Sequence, residues 1–204
     1  MSSDKNYLSL PLREFLEDAA ARTPTPGGGS VAAVVGALAA SLGRMVIEYT
    51  VGKPKYADHE PRLRELLDEF KRAGDMFGML MHEDMAAYER LAASRKSDDV
   101  EEQQRASATA VAVPMEIVVL AGAVAARLDE IKTHINPNLL SDLQTAAILA
   151  YAAARSASTN VRANVVQLED RKEAKRLDNQ LDMLLGRTGR HRNTVVHYQP
   201  FPAI

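Results

Sequence analysis

The chain has no cysteine and no tryptophan, and only 5% of its 204 residues are aromatic. Without cysteine there can be no disulfide, no thiolate metal centre and no cysteine nucleophile. Neither sign of charge dominates, since 25 basic and 27 acidic residues leave a net charge of -2. That balance supplies no broad positive field for nucleic acid or a membrane surface. The one short basic cluster, Arg187, Arg190, His191 and Arg192, reads as a solvated tail rather than a nucleic-acid contact. The opening residues Met1–Asn6 are polar and lack the apolar run of a signal peptide, so a cytoplasmic protein is expected. Long uncharged apolar runs are also missing. Residues 31–51 carry Ser41, Arg44 and Glu48, and residues 106–126 are interrupted by Pro114 and Glu116. Such interruptions are costly in lipid, so both read as buried helices of a soluble bundle. The histidines (His59, His82, His134, His191, His197) show no helical ligand spacing, and no metal is expected.

What is present is helix. Strand signals are nearly absent, and apolar residues recur at helical intervals almost everywhere. The pattern predicts helices over residues 12–22, 30–51, 61–94, 99–132, 141–166 and 169–185, with Ser30, Asp98 or Asp99, and Ser141 as N-caps. The expected fold is an all-α, up-and-down bundle of long helices. One domain should span residues 1–185, followed by a basic, loosely ordered tail over 186–204. The helix at 30–51 is apolar on most of its circumference and kept slim by Ala33, Gly36, Ala37, Ala40 and Gly43. A helix apolar all round needs cover on every side, more than one chain of this size offers, so a homodimer is expected.

Pro24-Thr25-Pro26-Gly27-Gly28-Gly29-Ser30 leads into that helix. The prolines stiffen the approach, and the glycines let the backbone come close to another group. The helix start that follows carries bare N–H groups and partial positive charge, suited to an anion or a developing oxyanion. No Gly-Lys-Ser/Thr ending follows, so this is not a nucleotide P-loop.

Several polar residues stand where the helical pattern calls for apolar ones. The third helix carries the stripe Leu63, Leu67, Phe70, Gly74, Phe77, Met81, Asp84, Tyr88 and Leu91. A carboxylate at Asp84 is expensive there unless paired or used, with Arg44 or Lys53 as candidate structural partners. His82 lies about 200° round the helix from Asp84 and reads as solvated. Glu116 also reads as a surface or interface group, while Pro114 frees a carbonyl one turn earlier. Asn160 and Asn164 share one helix face and suggest a hydrogen-bonding surface. Asp142 lies roughly 27 Å from Asn160 along a straight helix, so within one chain the two cannot touch one small group; they can serve opposite ends of an extended ligand or meet across a two-fold axis. Lys53-Pro54-Lys55-Tyr56 places two cations in a loop that Tyr56 can anchor, where they can grip a carboxylate or a forming oxyanion.

In order, these blocks resemble the cyclodeaminase/cyclohydrolase family of folate enzymes. The resemblance is carried by Pro24–Ser30, Gly52-Lys53-Pro54-Lys55-Tyr56, Asp84 with Ala87-Tyr88, Val113-Pro114-Met115-Glu116, Asn136 with Ser141-Asp142, and Asn160 with Asn164. It covers about residues 8–185. Pro54, Glu48 and the basic tail depart from the family pattern, as does Tyr88, where the family usually has phenylalanine. The resemblance implies an all-helical dimer with tetrahydrofolate in a cleft at or near the interface, and no cofactor beyond that substrate. Asp84 then matches the catalytic acid, with Lys53 and Lys55 as polarising or tail-binding cations. Pro26, Gly27, Gly28, Gly29, Ser30, Tyr56, Asp142, Asn160 and Asn164 line the cleft. The expected reaction is hydrolysis of 5,10-methenyltetrahydrofolate to 10-formyltetrahydrofolate, favoured because no fused formimidoyltransferase is seen. The alternatives are a formimidoyltetrahydrofolate cyclodeaminase releasing ammonia, and a non-catalytic helical dimer that binds a folate-like or other small ligand.

Overall fold

A computed structural model describes residues 5–200; most of Met1–Asn6 and the last four residues of the tail lie outside the described residues. Among these residues there are six α-helices and no strand: α1 (Leu12–Ala20), α2 (Gly28–Glu48), α3 (Glu60–Ser94), α4 (Val100–Ile131), α5 (Leu140–Val165) and α6 (Arg171–Val196). Short 3-10 turns occupy Tyr7–Ser9, Pro54–His59 and Pro137–Leu139. The all-α expectation holds.

Side-chain caps account for two of the helix starts. Asp99 Oδ1 accepts from the amides of Glu101 and Glu102, opening α4, and Asp170 opens α6 in the same way. Two expected caps are corrected. Gly27, in extended conformation, is the N-cap of α2, and Ser30 lies inside the helix. α5 begins at Leu140, so Ser141 is already helical; Asn136 instead caps the preceding 3-10 turn. Gly52 closes the turn after α2 with φ 79°, a conformation that favours glycine.

α2, α3, α4 and α5 close an up-and-down ring, and α6 lies in the groove between α4 and α5. The antiparallel order is marked at the bundle ends. The Gly52 amide meets Glu60 at the start of α3, Arg62 pairs with Glu130 near the end of α4, and Thr50 accepts from the Asn136 amide just before α5.

Register between α2 and α3 is set by three notches and three knobs. Gly43 faces Phe70, Gly36 faces Phe77 and Gly29 faces Asp84, each pair seven residues from the next on both helices. A Cβ at any of these glycines would collide with the side chain seated over it. Two knobs are rings buried in the core; the third is a carboxylate.

The loose tail is a second correction. α6 does not stop at Leu185 but runs to Val196, with Leu185, Thr188 and Val195 buried. Asp129 of α4 fastens it: His191 Nδ1 lies 2.9 Å from Asp129 Oδ2, and Thr194 donates to Oδ1 at 2.6 Å. Burial works against the Asp129 carboxylate, but hydrogen bonds from Lys132, Thr194 and His191 outweigh it and hold its pKa below the usual range. Arg192 lies 4.8 Å from the Tyr151 ring centroid. A charge-rich sequence concealed a helix that buries Ala174, Leu181, Leu185 and Val195 and leaves Met183 exposed.

α2 is covered on the sides facing α3 and α5, yet Val31, Leu38 and Tyr49 remain 39%, 53% and 60% exposed along one stripe. α2 and α4 are each long and apolar enough to cross a membrane, and about half of each apolar window is packed inside the bundle.

Candidate active site at the start of α2

Asp84 sits on α3 with its carboxylate over Gly29. The Ser30 hydroxyl donates to Asp84 Oδ2 at 2.8 Å, and the Ser30 backbone N–H donates as well. The free amides at the start of α2 therefore meet an anion of the protein itself, and the helix field favours that charge. Burial nevertheless pushes the Asp84 carboxyl above the usual carboxylate range, against the two Ser30 donors that pull it down. The alternative to a functional Asp84, a structural ion pair, is not made: Arg44 pairs with Glu48, Lys53 lies exposed at the other end of α2, and Asp84 has no cationic partner among the described residues.

A cavity of about 240 Å³ opens beside the carboxylate, lined by Pro24, Thr25, Gly27, Gly28, Gly29, Ala87, Tyr88, Leu91, Ala110, Asn160 and Asn164. Asn160 packs against Gly28, and its Nδ2 donates to the Ser156 carbonyl at 3.3 Å. Asn164 Nδ2 donates to the Ala110 carbonyl at 2.6 Å. That carbonyl is the one Pro114 frees, because proline has no N–H to donate four residues back. Each amide nitrogen is thus held to backbone through one of its two N–H groups, which leaves both Oδ1 atoms as acceptors and one N–H on each side chain. Among the described residues the cavity combines one carboxylate, two side-chain amides and no basic side chain.

The structure brings together Gly27, Gly28, Gly29, Asp84, Asn160 and Asn164. Pro26 and Ser30 are buried behind that surface rather than lining it. Ser30, fully buried, is a positioning residue for Asp84. Lys53, Lys55, Tyr56 and Asp142 gather at the opposite end of α2 and α5, about 30 Å away along a 21-residue helix. There Tyr56 is buried, as an anchor should be, with Lys55 Nζ 5.5 Å from its ring centroid. Glu116 is exposed. His82 is not solvated: it is half-buried against Tyr7, and its Nε2 is enclosed without a hydrogen-bond partner among the described residues. Tyr88, which the stripe places in the core, is 47% exposed at the cavity. Its spacing from Asp84 was the available signal, because residues four apart share a helix face. Ala110 carried no signal beyond its distance from Pro114.

Fold and site define an all-α protein with a cavity beside a half-buried α3 carboxylate that sits over the start of α2. The formiminotransferase-cyclodeaminase family pattern matches residues 11–183. A methenyltetrahydrofolate cyclohydrolase from Methylorubrum extorquens is 32% identical over 187 residues, covering 87% of this chain and 90% of that protein. The formimidoyltransferase-cyclodeaminase of Rattus norvegicus is 31% identical over 82% of this chain, which spans only 32% of that longer protein. The crystal structure of formiminotetrahydrofolate cyclodeaminase from Thermotoga maritima superposes with TM-score 0.89 at 31% identity, covering 93% of this chain and 95% of that one. The chain belongs to the formiminotransferase-cyclodeaminase family.

Proposed function

We propose that this protein is a folate-dependent one-carbon enzyme that hydrolyses 5,10-methenyltetrahydrofolate to 10-formyltetrahydrofolate. The observation that carries the reading is a cavity that sets the Asp84 carboxylate beside two side-chain amides, with no protein cation on Asp84 among the described residues. A methenyl bridge between N5 and N10 is a delocalised cation, and the pteridine edge is rich in N–H donors. Asp84 stabilises the cation and takes a proton from the attacking water. The C–OH adduct then opens at the N5–carbon bond, N5 takes a proton, and one proton is released overall. The Asn160 and Asn164 oxygens accept from the pteridine edge. The Methylorubrum enzyme, 32% identical and matched over 90% of its length, supports the cyclohydrolase reading. The same carboxylate serves a cyclodeaminase, as the Thermotoga protein is named. There N10 attacks an N5-formimidoyl carbon, and Asp84 hands a proton to the departing ammonia. Neither reaction needs a cofactor beyond the folate substrate.

The working form is a homodimer. An antiparallel two-fold contact along the exposed α2 stripe would cover Val31, Leu38 and Tyr49. It would also carry the Lys53–Tyr56 turn and Asp142 of one protomer to the triple-glycine end of the other. Lys53 and Lys55 would then supply the cations each cavity lacks, stabilising the oxygen that gains negative charge or holding the substrate's glutamate carboxylates.

The assay follows loss of the methenyl chromophore and, separately, ammonia release from formimidoyltetrahydrofolate. Turnover of neither, with folate still bound, would mark a binding protein instead. Asp84→Asn and a Lys53→Ala/Lys55→Ala variant should each be inactive alone and regain roughly a quarter of parental activity on mixing, since exchange puts one intact site in each heterodimer. No recovery after subunit exchange would place the lysines elsewhere.

Ser30→Ala removes a donor that favours the charged carboxylate, so the Asp84 pKa rises further. The acid limb of the pH–rate profile should move to higher pH, with the high-pH plateau largely kept. An unmoved limb would mean that another group titrates there.

A further inference from the structure

One aromatic ring lines the Asp84 cavity, that of Tyr88. It projects from α3 one turn beyond Asp84, so ring and carboxylate share a face. Ala87 and Leu91 beside it are buried, whereas Tyr88 itself is 47% exposed. The neighbouring walls are Gly27 and Gly28, which bring backbone rather than side chain to the cavity, and the small Ala110. The result is a cavity with the Tyr88 ring in one wall and peptide groups in others, and no second aromatic ring among the described residues that line it. We propose that Tyr88 is the stacking platform for a planar ring adjoining the reacting one-carbon unit, and so a specificity determinant for folates; this rests on the reading of the cavity as a folate site. Both the pteridine and the aminobenzoyl ring have the required flat face. The ring face, not the phenol hydroxyl, supplies the affinity.

The test measures binding of 5-formyltetrahydrofolate and p-aminobenzoylglutamate by calorimetry, together with kcat and KM for the methenyl substrate, in the parent and in Tyr88→Phe, Tyr88→Leu and Tyr88→Ala. Loss of a stacking partner costs about 10- to 100-fold in affinity. Tyr88→Ala and Tyr88→Leu should therefore raise Kd and KM by about that factor, with kcat nearly unchanged, while Tyr88→Phe keeps the parental values. Helicity, melting temperature and dimer content should not change, because the side chain is exposed. Weakened binding of p-aminobenzoylglutamate in Tyr88→Ala assigns the platform to the aminobenzoyl ring; unchanged fragment binding with weakened binding of the whole folate assigns it to the pteridine. Parental Kd and KM in Tyr88→Ala would overturn the proposal, as would Tyr88→Phe failing like Tyr88→Ala. A parent that binds no folate at all would instead overturn the functional reading.

Discussion

Asp84→Asn should abolish turnover while leaving the protein at least as stable as the parent. The carboxylate is half-buried over Gly29, and burial raises its pKa above the usual value despite two donors from Ser30. The sign for stability follows from linkage. Between the unfolded pKa and the higher folded one, the folded state holds more protons, so stability falls as pH rises through that window. Above the folded pKa the penalty is fully present. Asparagine carries no charge, and its Oδ1 can still accept from Ser30, so the penalty goes while the local hydrogen bonds remain. Activity depends on the lost function, proton transfer and stabilisation of a cation, and should drop by about 10²- to 10⁴-fold. Chromophore loss measured beside a calorimetric melt checks both halves. Retained turnover would move the catalytic role to another residue, and a clearly lower melting temperature would show that the carboxylate stabilises the fold.

Gly29→Ala should be nearly as damaging, although alanine is the better helix former by about 1 kcal/mol. A Cβ on Gly29 would fall well inside van der Waals contact with the Asp84 carboxylate, and the α2 backbone leaves it nowhere else to go. The carboxylate must swing off Ser30, which removes the geometry on which proton transfer depends. A loss of at least about 10²-fold in kcat/KM is expected. Gly28→Ala is the control. Its Cβ would meet only the Asn160 side chain, at 3.4 Å, which is ordinary contact; Asp84 stays on Ser30, so kcat should stay within a few-fold of the parent, and any loss should fall on KM as the methyl narrows the cavity. Equal effects at the two positions would mean that the glycines act only through backbone freedom.

That contrast shows how far the sequence could be read. Three adjacent glycines look equivalent in a string of letters, since each permits the same backbone freedom. They differ because only one of them faces α3. The heptad spacing of Phe70, Phe77 and Asp84 was visible, and so were Gly36 and Gly43; their matching in antiparallel register was not, because it depends on which helix lies alongside. Helix extents were mostly legible to within a few residues, since caps and periodicity are local. α6 escaped because its stability comes from Asp129 and the α4/α5 groove, remote in sequence, rather than from its own propensity.

The candidate site divides the same way. Asp84 stood out as a charge on an apolar stripe, a conflict within one helix that solvation energetics alone makes conspicuous. Asn160 and Asn164 stood out as poor helix formers sharing a face. That their nitrogens are tied to backbone carbonyls, one of them released by Pro114, depended on two helices meeting. The separation of Lys53 and Lys55 from Asp84 within a protomer likewise follows from α2 being a straight rod between them. Patterns repeating within one helix follow from the amino-acid order, because local geometry sets them. Which faces meet, which donors are used up and which end of the bundle a residue occupies follow from packing between segments far apart in the chain.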